Sequence, residues 1–209
     1  MVRGQFITFE GGEGVGKSTQ VGLLGERLRD AGHEILATRE PGGSPGALDI
    51  RRLLVEGPVD RWAPLSELFL HNAARHDHVQ KTVAPALAAG TWVICDRFAD
   101  STMAYQGYAQ DVDLETVAQI NRWAAGAVWP DLTIVLDLPV ADGLARAQAR
   151  PDSEDRYERM GAVFHERIRA AFLDIAKGAP TRCAIVDAAG APDQVAEQVW
   201  DTVRTRLSI

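Results

Sequence analysis

Cysteine is scarce: there are two, Cys95 and Cys183, in 209 residues. Both lie in short apolar runs and read as buried thiols, not as a disulfide framework or a metal site. Positive charge is in deficit too. Lysine and arginine number 22 against 29 acidic residues, a net charge of −7. Binding to DNA or RNA relies on a basic surface, so the balance argues against a nucleic-acid partner. A nucleotide stays in play, because it needs only a few local cations. The five histidines show no ligand spacing, so no structural metal is expected. No apolar stretch approaches the length of a membrane span, and no secretory leader precedes the first strand-like run; a cytoplasmic protein without membrane contact is expected. Nor does any linker, low-complexity stretch or internal repeat divide the chain. With 46% apolar and 24% charged residues, it reads as one α/β domain over 1–209 with a substantial core.

What the chain does have is concentrated near its start. Residues 11–18 read Gly-Gly-Glu-Gly-Val-Gly-Lys-Ser, directly after the apolar run 6–9. This is the phosphate-loop pattern G-x-x-x-x-G-K-[ST], with Gly11, Gly16, Lys17 and Ser18 in its fixed places. Glycines permit backbone conformations in which several N–H groups converge on one anion. A helix starting near Lys17 adds its positive end. Lys17 can reach outer phosphates, and the Ser18 hydroxyl can join the shell of a magnesium ion. A glycine-rich turn with a chance lysine is the bland alternative. The β-branched strand before the loop and the amphipathic helix after it, with Val21, Leu24 and Leu28 on one face, favour nucleotide binding.

Strand-like and helix-like segments alternate throughout. The strands are predicted at 5–10, 34–39, 92–96, 132–137 and 182–187, as short apolar runs suited to a parallel sheet buried on both faces. Helical periodicity predicts helices at about 17–31, 46–56, 65–89, 98–108, 113–126, 140–150, 156–178 and 191–206. Met160, Phe164, Ile168, Ala171 and Ile175 form one face of the seventh, and Val195, Val199, Val203 and Leu207 one face of the last. The expected fold is a three-layer α/β domain around a five-stranded parallel sheet. Ligands in such sheets bind beyond the carboxyl ends of the strands.

Two of those ends carry arginine: Arg39-Glu40-Pro41-Gly42-Gly43 after the second strand and Asp96-Arg97 after the third. One arginine can cap a helix or pair with a carboxylate. Two beside a phosphate loop fit a second phosphate better, because guanidinium grips phosphate in bidentate fashion. Two anions held together in this way suit phosphoryl transfer onto a phosphate acceptor. Asp96 can orient magnesium, or simply pair with Arg97. A third cluster, Arg146, Arg150, Asp155 and Arg156, flanks the polar break Pro151-Asp152-Ser153-Glu154. It reads either as a solvated helix end or as a basic lid over about 146–157 that delivers a cation and excludes water.

Taken together, these segments resemble the bacterial thymidylate kinases, members of the nucleoside monophosphate kinase group with the P-loop kinase fold. The resemblance runs over nearly the whole chain. It rests on Phe9 through Thr19, Thr38 through Gly43, Ala73-Ala74-Arg75, Asp96-Arg97, Ser101-Thr102 with Tyr105-Gln106-Gly107, Pro130 through Thr133 and Asp155-Arg156-Tyr157-Glu158. It implies transfer of the γ-phosphate of ATP to dTMP, giving dTDP, with Mg2+ as cofactor and a homodimer as the assembly. In that reading Gly11, Gly12, Glu13, Gly14, Val15, Gly16, Lys17, Ser18 and Thr19 hold ATP, with Arg146 and Arg150. Ser18 and Asp96 serve the metal. Glu13 accepts a hydrogen bond from the acceptor sugar's 3′-hydroxyl, and Arg39 and Arg97 hold its phosphate. Arg75 and Thr102, with Ser101 and Gln106 nearby, meet the thymine edge, while Tyr105 crowds the 2′ position. Some relatives carry a catalytic arginine in the phosphate loop. Gly14 stands there in this chain, so the resemblance shifts that duty to the lid, to Arg150 first, with Arg146 and Arg156 behind it.

One departure stands out. The position four residues before Arg75 usually holds an aromatic ring that stacks on thymine; here it is His71. Residues four apart share a helix face, so His71 and Arg75 point together, whereas Phe69 points about 120° away. The expectation is His71 against the base and Phe69 in the core, with weaker or pH-sensitive dTMP binding. Rival functions are a kinase for another nucleoside monophosphate or a deoxynucleoside, and a P-loop switch. The chain lacks the Asn-Lys-x-Asp segment a GTP switch would use.

Overall fold

Five apolar runs pair side by side into one parallel sheet. In the computed structural model, which describes residues 3–149 and 156–209, they are β1 (Phe6–Glu10), β2 (Ile35–Arg39), β3 (Trp92–Asp96), β4 (Leu132–Asp137) and β5 (Cys183–Asp187). Their order across the sheet is β2-β3-β1-β4-β5. Register is set by pairs such as Phe6↔Val93 and Ile7↔Leu132. β1 lies at the centre, so the phosphate loop leaves from the middle of the carboxyl edge.

The helices are α1 (Lys17–Asp30), α2 (Pro45–Val55), α3 (Pro64–His78), α4 (Ala84–Ala88), α5 (Ala99–Thr102), α6 (Leu114–Ala125), α7 (Val140–Gln148), α8 (Ala162–Gly178) and α9 (Pro192–Leu207). Side chains alternate across the central strands, and each face is covered. Ile7, Phe9, Ile94 and Ile134 pack against Leu24 and Leu28 of α1 and Val195 and Val199 of α9. Phe6, Val93 and Cys95 meet Val79, Val83 and Phe98 on the other side. Val135 meets Ile168 and Phe172 of α8. This is the three-layer arrangement the alternation predicts. Cys95 and Cys183 are buried free thiols, also as expected. The outer strands differ from expectation: Ala37 of β2 and Ile185 of β5 are exposed, because an edge strand is covered less completely than a central one.

Three helical stretches depart from simple periodicity. The run expected over 65–89 is continuous, but a π-helical turn, Val79–Val83, joins α3 to α4. The wider turn comes just before Pro85, which has no N–H and whose ring crowds the carbonyl four residues back. Likewise, the run 98–108 is α5 followed by a π-helical segment, Met103–Ala109. The helix expected from 156 starts only at Ala162, with Gly161 extended before it (φ −61°, ψ 163°). Met160 is therefore outside α8.

Phe69 corrects the expectation of a core residue: it is 54% exposed. The inner face of α3 belongs to Leu68, Asn72 and Arg75, which places Phe69 outside, in line with Leu65 one turn earlier. Trp123 of α6 is 69% exposed. Among the described residues, no helix is long and apolar enough to cross a membrane.

Candidate active site

The chain turns sharply after β1. Gly14 has φ +68° and Gly16 has φ +97°, in the left-handed region that side chains disfavour. Gly14 is doubly constrained, because a Cβ there would lie 1.8 Å from the Gly143 carbonyl oxygen of α7. An arginine at this position has no room, which gives a physical basis for its absence from the loop. α1 begins at Lys17 with no side-chain cap, so its first N–H groups are left for an anion. Lys17 Nζ folds back to donate to the carbonyls of Gly11 (3.2 Å) and Gly12 (2.6 Å). Burial, with the Arg97 charge, lowers its pKa to about 8. Val15 is buried in the core and Thr19 is exposed on α1, so their part in the loop is through backbone and position.

At the end of β3, Asp96 accepts a hydrogen bond from Ser18 Oγ at 2.5 Å. A hydroxyl and a carboxylate oxygen in contact beside the loop suit magnesium, which takes oxygen ligands and keeps places for phosphate and water. Arg97 follows in a left-handed conformation (φ 70°), unusual for a residue with a side chain. Its Nη1 donates to the Gly11 carbonyl (3.0 Å) and Ser101 Oγ (3.2 Å), and its Nη2 to Glu13 Oε1 (2.9 Å). Tyr105 Oη donates to the same Glu13 oxygen at 2.7 Å. Burial opposes ionisation of Glu13, but the Arg97 and Lys17 charges and the Tyr105 hydrogen bond hold its pKa down to about 2.

Behind this pair, Glu10 accepts from the backbone N–H of Phe98 (2.8 Å) and from Ser101 Oγ (2.6 Å), tying β1 to the start of α5. Burial, reinforced by Asp100, pushes its pKa up to about 8.

Arg39 is exposed at the end of β2, opposite Asp96 in the register. Arg39, Arg97, Lys17 and Ser18 line one cleft of about 500 Å3, so the two arginines face the phosphate loop as expected. His71, Arg75, Ser101, Thr102, Tyr105 and Gln106 line the same cleft. Arg75 is buried, and all five of its N–H bonds are engaged. Nε donates to Glu40 (2.8 Å), Nη1 to the side-chain oxygens of Asn72 and Asn121, and Nη2 to the Phe98 carbonyl and Thr102 Oγ1 (2.8 Å). His71 and Arg75 share a face of α3, as their spacing predicts. Burial lowers the His71 pKa to about 4, so the ring is uncharged near neutral pH. This removes the reason to expect pH-sensitive acceptor binding from His71 in the neutral range.

On the far side of the loop, Arg146 of α7 donates to the carbonyls of Ala188 (3.1 Å) and Ala189 (3.4 Å), beyond β5. Arg150 and Asp155 lie outside the described residues. Arg156 does not act as a lid cation. It is fully buried, paired with Glu67 (2.6 Å) and bonded to the carbonyls of Leu54, Pro58 and Val59. Burial opposes ionisation of Glu67, but His71, protonated in the acid range where Glu67 titrates, together with the Arg156 charge and the hydrogen bonds from Arg156 and Gln110, keeps its pKa below the ordinary value. Gln106 also donates to Glu67, at 2.7 Å. Sequence reasoning gave no part to Glu10, Glu40, Glu67, Asn72 or Asn121. Acidic or amide residues beside apolar positions were the only signal, and which arginine each would meet depends on the fold.

The Thymidylate kinase family model matches residues 9–199. The chain belongs to the thymidylate kinase family. The kinase is 50% identical over 209 residues to a thymidylate kinase of Caulobacter vibrioides, covering all of both chains. A thymidylate kinase of Geobacter sulfurreducens is 48% identical, with 98% of each chain covered. The crystal structure of thymidylate kinase from Ehrlichia chaffeensis matches with a TM-score of 0.78 at 34% identity, over 96% of this kinase and 99% of that chain. The reaction of this kinase is the ATP-dependent phosphorylation of dTMP to dTDP, a step toward dTTP.

Proposed function

We propose that the cleft carries out this transfer in line: an acceptor phosphate oxygen attacks the γ-phosphorus of ATP as the bond from that phosphorus to the β,γ-bridging oxygen breaks and ADP leaves, with no protein nucleophile taking part. Lys17, the loop amides and the start of α1 hold the donor phosphates. Ser18 and Asp96 hold Mg2+, which neutralises phosphate charge when bound. Arg39 and Arg97 hold the acceptor phosphate against the repulsion of the donor. Glu13, ionised down to a pKa of about 2, accepts from the acceptor 3′-hydroxyl. Tyr105, whose hydroxyl is committed to Glu13, fills the space beside the 2′ carbon. Thr102 Oγ1 takes its hydrogen bond from Arg75 and keeps its own hydrogen for a base carbonyl. Ser101, Gln106 and His71 complete the base site, Arg146 borders the donor base, and Arg150 assists the transferring group.

The observation that carries the reading is the placing of Lys17 and Ser18 with Arg39 and Arg97 around one cleft. A coupled assay with ATP and dTMP, dUMP, dCMP, dAMP or thymidine tests it. We expect dTMP to be preferred and thymidine to be inert, because only a phosphorylated acceptor uses the two arginines. Efficient turnover of thymidine would overturn the arrangement.

The whole chain acts as one domain in the cytoplasm, and the assembly is a homodimer. Support for the dimer comes from Leu65 and Phe69 on α3 and Trp123 on α6, large apolar side chains left exposed on two helices that pack on each other.

A further inference from the structure

His71 does not hold itself in place. It is half-buried on the cleft face of α3, and its Nε2 lies 2.9 Å from the hydroxyl of Tyr157, with the ring centroids 6.3 Å apart. Tyr157 belongs to the turn 156–160 that leads into α8, far from α3 in sequence. The torsion that turns an imidazole about its Cβ–Cγ bond is broad and nearly two-fold, so a histidine ring without a partner samples a range of tilts. A hydrogen bond to one ring nitrogen selects one of them.

Tyr157 is well placed to make that selection, because it is itself fixed on several sides. Its ring meets Tyr105 edge-on, at 5.5 Å between centroids and 88° between planes. The Arg156 guanidinium lies 5.1 Å from its ring centroid. Arg156 is bonded to three carbonyls around the end of α2 and paired with Glu67 of α3. Burial raises the Tyr157 pKa well above its usual value, so the hydroxyl keeps its proton. Its contact with Tyr105 and the hold of the α2-end carbonyls and of Glu67 on Arg156 thus fix Tyr157, and it hands that constraint to His71.

We propose that Tyr157 is a specificity-determining positioning residue for the acceptor, which fixes the tilt of the His71 imidazole and so presents a set ring face to a pyrimidine base. This rests on the reading that His71 borders the base site. It makes acceptor-base recognition depend on the turn before α8 as well as on the helix that carries the contacting ring. Tyr157 also joins two halves of the acceptor site. Tyr105, on which it packs, donates to Glu13, while His71, to which it is hydrogen-bonded, lines the same cleft.

A double-mutant cycle tests the proposal: Tyr157→Phe, His71→Phe and the pair, assayed for dTMP KM, ATP KM and the dTMP-to-dUMP ratio of kcat/KM. Tyr157→Phe keeps the ring and its packing and removes only the hydroxyl. It is expected to raise dTMP KM about fivefold, the size of one hydrogen bond, and to leave ATP KM unchanged. In the His71→Phe background the same change is expected to do nothing. An equal effect in both backgrounds, or no effect in the wild-type background, would overturn the proposal. His71→Ala serves as the separate control. If neither it nor His71→Phe alters dTMP KM or the dTMP-to-dUMP ratio, His71 is not at the base and the underlying reading fails. If they do alter it while Tyr157→Phe acts additively, only the positioning role fails.

Discussion

Arg156→Ala should destabilise the protein far more than a typical arginine truncation. The side chain is fully buried, and its Glu67 partner is equally enclosed at 2.6 Å. Truncation would leave a carboxylate and the carbonyls of Leu54, Pro58 and Val59 without their donor. Breaking a buried ion pair from one side costs about 3–5 kcal/mol, a large part of a domain's net stability. The assay is urea unfolding of the wild type, Arg156→Ala and Arg156→Ala/Glu67→Gln at pH 7. The double variant should recover part of the loss, because the unpaired charge is gone. The pH dependence has a definite sign. In the wild type the folded pKa of Glu67 is lowered, so its contribution is present above the ordinary carboxyl pKa and is lost as pH falls through the folded value. Without Arg156, burial favours the protonated acid instead. The gap between wild type and Arg156→Ala is therefore widest at neutral pH and narrows below about pH 4. A loss under about 1 kcal/mol at pH 7, the size of a surface pair, would refute the reasoning.

Three further outcomes are expected. Lys17→Ala should nearly abolish turnover while the fold, followed by circular dichroism, stays intact; wild-type-like turnover refutes its role. Because burial holds Lys17 at a pKa of about 8, ATP affinity should fall as pH rises through that value, and calorimetry at pH 8.5 should show proton uptake on binding, since phosphate favours the ammonium form; a flat affinity from pH 7 to 9.5 speaks against it. Phe69→Glu and Trp123→Glu should each shift the sedimenting species from dimer to monomer, and a wild type that already sediments as a monomer removes the basis for the dimer.

The strands and the phosphate loop were legible because their signals are local: apolar runs of five or six residues, and a motif whose spacing dictates its own geometry. The shared cleft face of His71 and Arg75 was legible for the same reason, since four residues make about one helical turn. What was not legible depended on partners distant in sequence. Phe69 looked like a core residue by type, yet the inner face of α3 was already filled by Leu68, Asn72 and Arg75. Arg156 resembled its basic neighbours, and only the fold brings the α2–α3 connection and Glu67 to it. The π-helical turn before Pro85 also exceeds what periodicity encodes, because only five helical residues, Ala84–Ala88, follow it, too few to display the phase shift of an extra residue.

The contact between Gly14 and Gly143 restricts the order in which this protein can change. A methyl group on either glycine would run into backbone carbonyl oxygen, Gly143's in one case and Glu13's in the other. Lengthening the side chain at position 14 is therefore closed as a first step. α7 must give way before any guanidinium can be grafted there, so a substitution at position 14 alone cannot supply one.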